Sequence, residues 1–200
     1  QVVEARMGEL KIQEHRYFSK ERLSYYWRLP AGEILRYDKI ATGVQMMNKN
    51  PDRKVKAALH AGKKPGTTDI LLVPQTNFPI HTSFTFDTEG ATSTGHGRTG
   101  YGLRHNNFLG RDDTVLSGYT FGNAFSGIYT YHNLPLGYQG ASLVYGYSRS
   151  KSVPKKEFAS SNIVSEAKNI SFSLHQDVYK EGNYLGEVSV GFDAKDKNIK

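Results

Sequence analysis

The run Gly95-His96-Gly97-Arg98-Thr99-Gly100 fits the G-x-G-x-x-G pattern of dinucleotide sites. That chemistry needs a strand before the glycines and a helix after them, so that free amides and the helix dipole face a pyrophosphate. Here alternating strand residues follow, and the glycines read as bends of a hairpin. Asp112-Asp113 offers two adjacent carboxylates, the residue type for a divalent cation or for acid–base work. No His or Glu stands at ligand spacing, and the pair falls in an expected turn of two to four residues, so turn chemistry is the better account. The 7 His are dispersed with none at i, i+4 from another, and the chain has no Cys. Thiolate metal sites and disulfides are thereby excluded. Asn169-Ile170-Ser171 matches a glycosylation acceptor but lies inside a strand-like stretch. No nucleophile elbow or phosphate-binding loop is present. The sequence offers no enzyme, no metal site and no cofactor.

The elements that carry these residues differ between the two parts of the chain. The formal charge of the 200 residues is +7, and it is concentrated early: residues 1–76 hold 14 Lys+Arg against 8 Asp+Glu, with all 3 Met and the single Trp. Residues 77–200 hold 15 of 20 Gly, 9 of 13 Tyr and 9 of 10 Phe, with 12 basic against 11 acidic residues. A basic chain suggests nucleic acid. No stretch interleaves clustered cations with base-stacking aromatics, so a solvated basic face is preferred and no nucleic acid is expected. No basic segment precedes an apolar run, so no signal peptide is expected, and no apolar run is long enough for a membrane helix. A β-barrel stays open, because its strands alternate.

The first part reads as a small α/β module over residues 1–76. Loose alternation of Val3, Ala5, Met7, Leu10 and Ile12 predicts a strand. Ser19 before Lys20-Glu21-Arg22 predicts an N-cap and a short helix bearing Leu23, Tyr26 and Trp27, ended by Pro30–Gly32. Leu35, Ile40, Val44 and Met47 predict a second helix over Ile34–Asn48, with Pro51 beyond it. Val55, Ala57 and Leu59 predict a half-buried strand, and Thr68–Val73 a last one. The order is β-α-α-β-β, with a core small enough to be marginal.

From Pro79 onward, seven segments alternate with period two. One face is assigned Ile80, Thr82, Phe84 and Phe86; then Thr99, Tyr101 and Leu103; then Phe125, Gly127, Tyr129 and Tyr131; then Leu143, Tyr145 and Tyr147; then Ile170, Phe172 and Leu174; and finally Val188, Val190 and Phe192. Thr114–Phe121 is the least regular, because Leu116 and Ser117 stand on the wrong faces. Such a pattern gives an antiparallel sheet with one apolar and one polar face. It fits a membrane barrel, with lipid on the apolar face, or a soluble sandwich. The barrel is favoured by tyrosines near strand ends (Tyr131, Tyr147), by opposite faces rich in Gly, Ser, Thr, Arg and His, and by connections of alternating length. These are tight at Gly110–Asp113 and Gly137–Gly140, and long and basic at Lys151–Lys168. The sandwich would be an adhesin or carbohydrate-binding module, stacking Tyr129, Tyr131, Tyr145 and Tyr147 on sugars.

Several stretches resemble the outer-membrane transporters of two-partner secretion, the family that exports large haemolysins and adhesins. In the first part these are Arg16–Leu23, Leu29–Leu35 and, most specifically, MNKNPDRKVKAALHAGKKPGTTDILL at Met47–Leu72. In the second they are Ser93–Thr120, Tyr129–Ser152 and Phe172–Lys195. The resemblance implies a polypeptide-transport-associated (POTRA) domain at 1–76 in the periplasm, and at 77–200 about seven strands of a sixteen-stranded outer-membrane barrel. Seven strands cannot close a barrel, so a fragment lacking both ends is expected. The family's lumen-loop motif, an Arg-Gly-Tyr run, would lie beyond Lys200. The activity implied is export of an unfolded partner polypeptide, an adhesin or haemolysin, through a channel that is monomeric when full length and sits in outer-membrane lipid. A barrel-assembly factor of the same superfamily is the alternative. An extended client would add to the edge Val55–Leu59, so Arg53, Lys54, Val55, Lys56, Ala57 and Leu59 are candidate contacts. Lysines there also suit an edge protected from aggregation. His81, Asp87, Arg98, Arg104 and His175 are candidate lumen-wall residues.

Overall fold

The computed structural model describes residues 4–138, 140–154, 163–181 and 184–199. The chain divides into two compact units, Gln1–Pro79 and Ile80–Lys200.

In the first unit, β1 (Arg6–Ile12) is followed by α1 (Lys20–Tyr25), α2 (Tyr37–Met47), β2 (Arg53–Ala61) and β3 (Thr67–Thr76). Their sheet has the order β1-β3-β2, with β1 parallel and β2 antiparallel to the central β3. Ser19 caps α1 as its sequence suggests, its hydroxyl accepting from the Arg22 amide at 3.0 Å. The helix stops at Tyr25, earlier than Pro30 requires. The second helix begins three residues later than expected, because Ile34 forms an extended bridge with Arg6. Met7, Leu23, Tyr26, Leu29, Ile40, Met47, Val55, Ile70 and Leu72 make one buried core between the helices and one face of the sheet.

The second unit is a single antiparallel meander of seven strands. These are β4 (Ile80–Asp87), β5 (Arg98–His105), β6 (Thr114–Gly122), β7 (Phe125–Leu136), β8 (Ala141–Ser152), β9 (Ser165–Glu181) and β10 (Tyr184–Ile199), each paired with its neighbours in sequence. No second sheet is present among its described residues, so the two-layer sandwich and its dry core are not formed. The cross-strand register carries one set of side chains across the whole meander: Phe84 opposite Tyr101, Tyr101 opposite Tyr119, Tyr119 opposite Ile128. Leu143 opposite Leu174 and Leu174 opposite Val190 continue it. This face holds the exposed apolar side chains of the strands apart from Ile199, with Phe84 at 63%, Phe172 at 50% and Val190 at 72% exposure. The reverse face carries Gly100, Gly102, Gly118, Gly127, Gly146 and Gly191.

The register corrects one assignment. Tyr129 and Tyr131 lie on the glycine face, opposite Gly118 and Gly146, while Ile128 and Thr130 take the apolar face. Tyr131 therefore does not join Tyr147 in an aromatic girdle, and the four tyrosines of a sugar platform are split between faces. The reason is steric. A Cβ at Gly118 would strike the Tyr129 ring, and one at Gly146 the Tyr131 ring, so each glycine is the seat of a tyrosine. The irregular segment is nevertheless a full strand: Ser117, on the apolar face, pairs its hydroxyl with that of Thr130 at 2.8 Å. Two polar groups thus satisfy each other where the surroundings are apolar.

Candidate functional site

Two surfaces collect the candidate residues. The first is the outer edge of β2, which among the described residues pairs only with β3. Val55 stands opposite Pro74, which has no N–H, and the Val55 amide and carbonyl point away from β3. Both are taken by one side chain: Asn48 Oδ1 accepts from the Val55 amide at 2.6 Å, and Asn48 Nδ2 donates to its carbonyl at 3.1 Å. The Arg53 amide is likewise engaged, donating to the Asn50 carbonyl at 3.2 Å. The Arg53 side chain is buried, donating from Nε and Nη2 to the Met47 carbonyl at 2.8 and 2.6 Å and stacking on Phe18 at 4.8 Å. A cation is favoured there by the exposed carbonyls and negative dipole end of α2. Arg53 therefore fastens the helix to the strand and cannot present its charge to a client, and Val55 is core. Lys54 and Lys56 are exposed, Ala57 is half-buried, and Leu59 is 54% exposed.

The second surface is the glycine face of the meander. All five lumen-wall candidates stand on it: His81 opposite Arg104, Asp87 opposite Arg98, and His175 opposite Ser189. Asp87 binds Arg98 Nε at 2.9 Å, and Arg98 also lines a hollow of ≈ 280 Å³ with Thr120, Phe125, Tyr129, Ser148 and Ser150. His175 Nδ1 lies 2.8 Å from Glu187 and Nε2 lies 2.8 Å from Ser173 Oγ. Carboxylate, imidazole and hydroxyl thus line up as in a nucleophilic relay. β9 sits between β8 and β10, and the ladders on both sides engage its backbone around Ser173. No amide there is turned toward a developing oxyanion, which such chemistry requires.

A third cluster escaped the sequence reading. The link between β5 and β6 runs over residues 106–113, longer than the turn expected, and closes on Asp113, which is fully buried. Its carboxylate accepts from the Leu109 amide at 2.9 Å, the Arg111 amide at 3.2 Å and His132 Nε2 at 2.7 Å, while His132 Nδ1 meets the Tyr145 hydroxyl at 2.7 Å. Burial pushes the Asp113 carboxyl up, but the His132 and backbone hydrogen bonds outweigh it and hold the group below the usual carboxylate range. Asp112 beside it turns through φ 60°, so the acidic pair is turn chemistry, as its spacing suggested. Asp113 and His132 are 19 residues apart, and only the strand register joins them. No group of three His, Cys, Asp or Glu among the described residues could hold a metal ion.

Comparison with known proteins follows the meander. The family model of haemolysin secretion/activation proteins ShlB/FhaC/HecB matches residues 66–199, more than half of the chain. The chain belongs to this family. Over 116 residues it is 29% identical to the outer membrane transporter CdiB of Dickeya dadantii (strain 3937), covering 58% of this chain and 20% of that protein. Its fold is similar to CdiB from Escherichia coli, with TM-score 0.76 and 19% identity over 99% of this chain and 38% of that one. CdiB from Acinetobacter baumannii gives TM-score 0.74 at 16% identity, over 98% of this chain and 38% of that one. BamA from Haemophilus ducreyi, in a structure lacking POTRA domains 1–3, gives 0.72 at 13% identity, over 97% and 36%. The chain thus spans a fifth of its curated relative and under two fifths of these solved chains. Its meander has the fold of the matching strands in these CdiB and BamA structures, a part of a β-barrel. No helix among the described residues is long and apolar enough to cross a membrane, which says nothing of a crossing by strands.

Proposed function

We propose that the chain belongs to a channel that exports an unfolded partner polypeptide across the outer membrane. In this reading residues 1–76 form a POTRA-like periplasmic domain and residues 77–200 the first strands of the barrel. The observation that carries the proposal is the two-faced meander: Phe84, Tyr101, Phe172 and Val190 all lie exposed on one face, and glycine, serine and the five charged or histidine candidates on the other. A lipid-facing wall and a wet lumen have that division. Mixed charge on the inner face, with Asp87 beside Arg98, suits clients of varied sequence.

The test removes the full-length gene from its host and follows both the secreted partner and the outer-membrane protein profile. An exporter loses the partner from the medium and leaves other barrels at normal levels. Loss of barrels in general would identify an assembly factor instead. The orientation of the wall is checked in the full-length protein by Phe172→Lys and Ser173→Lys. A lysine at mid-wall on the lipid face costs about 2–4 kcal/mol, enough to deplete the folded barrel, whereas one facing the lumen is accommodated. Equal effects at both positions would refute the assignment of faces.

A further inference from the structure

We propose that Asn48 sets the register at which an extended client adds to β2, so that pairing begins at Ala57 and runs to Ala61. The proposal rests on the reading of residues 1–76 as the client-capturing domain, and it adds where on the edge a strand can dock.

The β2–β3 ladder runs without a register shift from Arg53 opposite Thr76 to Ala61 opposite Thr68. Outward-pointing backbone groups therefore recur every second residue, at Arg53, Val55, Ala57, Leu59 and Ala61. The first two are closed: the Arg53 amide is bound to the Asn50 carbonyl, and both polar groups of Val55 to the amide of Asn48. Asn48 is itself the last residue of the α2 cap, its own backbone N–H donating back to the helix, so the plug is held at a fixed height along the strand. From Ala57 on, no strand among the described residues pairs with the outer side of β2.

Side chains give the partner its chemistry. On the face that carries Val55 into the core, Leu59 is 54% exposed, ready to pack on an apolar residue. On the opposite face Lys54 and Lys56 are exposed. The surface suits an extended segment that alternates apolar and acidic residues, the strand-addition mode of recognition. A protein segment of this kind also complements the excess of 14 basic over 8 acidic residues in this part of the chain.

The experiment uses the full-length transporter in detergent with a blocked nine-residue peptide of alternating Val and Glu, followed by amide hydrogen exchange and by binding. In the wild type the peptide slows exchange at Ala57 and Leu59 and leaves Val55 unchanged. Asn48→Ala opens Val55, whose amide then gains protection from the peptide, and affinity rises about fivefold from the added backbone pairing. Exchange at buried Ile70 in the absence of peptide reports that the fold is kept. Ala57→Pro removes one outward N–H while the inward bonds to β3, made by Lys56 and Ala58, persist, and binding falls at least about tenfold. If Ala57→Pro abolishes binding but Asn48→Ala neither tightens it nor protects Val55, the register stop is wrong and edge capture stands. If Ala57→Pro binds as the wild type does, or no variant binds the peptide, the edge is a protected one and capture there fails with it.

Discussion

The two sheets of this chain put the same alternation to opposite use. In the first unit the apolar positions of each strand turn inward: Val55, Ile70 and Leu72 are buried with Leu23 and Met47 from the helices. In the second, the apolar positions turn outward, and what lies behind them is glycine and hydroxyl. Water-driven burial accounts for the first arrangement, which has a small core held by a few large side chains. It cannot account for the second, where Phe86 and Phe192 are each 67% exposed. There the ladder of backbone hydrogen bonds supplies the order, and in the proposed barrel the solvent for the side chains is hydrocarbon. Alternation alone is therefore ambiguous, and what packs against a strand decides its meaning.

The comparison breaks most easily at Leu23, which has no exposed surface. Leu23→Ala leaves a cavity among Tyr26, Ile40 and Met47 and costs about 3–4 kcal/mol, a large share of what so small a core supplies. Phe84→Ala removes a larger side chain, yet empties no cavity and costs about 1 kcal/mol or less. Urea denaturation followed by exchange at Ile70 checks the first, and heat-dependent electrophoretic mobility of the barrel checks the second. Equal costs would mean that the outward face of the meander is covered by packed protein.

Asp113 comes next. Asp113→Ala strands the Leu109 and Arg111 amides and His132 Nε2 together, at a cost of about 2–3 kcal/mol. Because the folded state holds this carboxyl below its ordinary value, its contribution is full above the unfolded carboxylate pKa, about 4, and is lost as pH falls through the folded value. Protection of the Leu109 amide, taken relative to its intrinsic exchange rate at each pH, should therefore fall in acid in the wild type and be insensitive to that step in Asp113→Asn. A turn that loosens on raising the pH would reverse the sign and refute the account.

The strands were legible from the sequence wherever large apolar residues alternate with small polar ones, as at Ile80–Asp87, whose bounds coincide with β4. Their lengths were not. β9 and β10 run 17 and 16 residues, well past the apolar segments Ile170–Leu174 and Val188–Phe192. Ser165–Lys168 and Ala194–Ile199 lack apolar alternation and extend the strands through the backbone ladder, with Glu166 also bound by Arg149, and backbone pairing leaves no trace in side-chain type. Asn48 and Arg53 show the same limit at the candidate edge. An Asn after a helix and an Arg before a strand read as solvated polar residues, yet both are consumed by backbone groups brought near only by folding. Sharing of a face by His81, Asp87, Arg98, Arg104 and His175 was legible, because period two fixes a face once the strand is known.

The smallest effect sharpens the comparison where the sequence misled. Tyr129 and Tyr131 looked like members of the apolar face because aromatics dominate it, but cross-strand glycines decide otherwise. Tyr131 lies directly opposite Gly146, and its ring occupies the volume that a Cβ there would fill. Gly146→Ala must push that ring off its seat, and Tyr131→Ala leaves the glycine backbone uncovered; each costs about 1 kcal/mol. The two changes act on one contact, so together they cost less than the sum of the singles. Tyr147→Ala, on the other face of the same strand, combines additively with either. A double-mutant cycle on barrel stability reads the difference: coupling between Tyr131 and Gly146, with none between Tyr147 and Gly146, places Tyr131 inside the wall. Additivity at both pairs would return it to the lipid face.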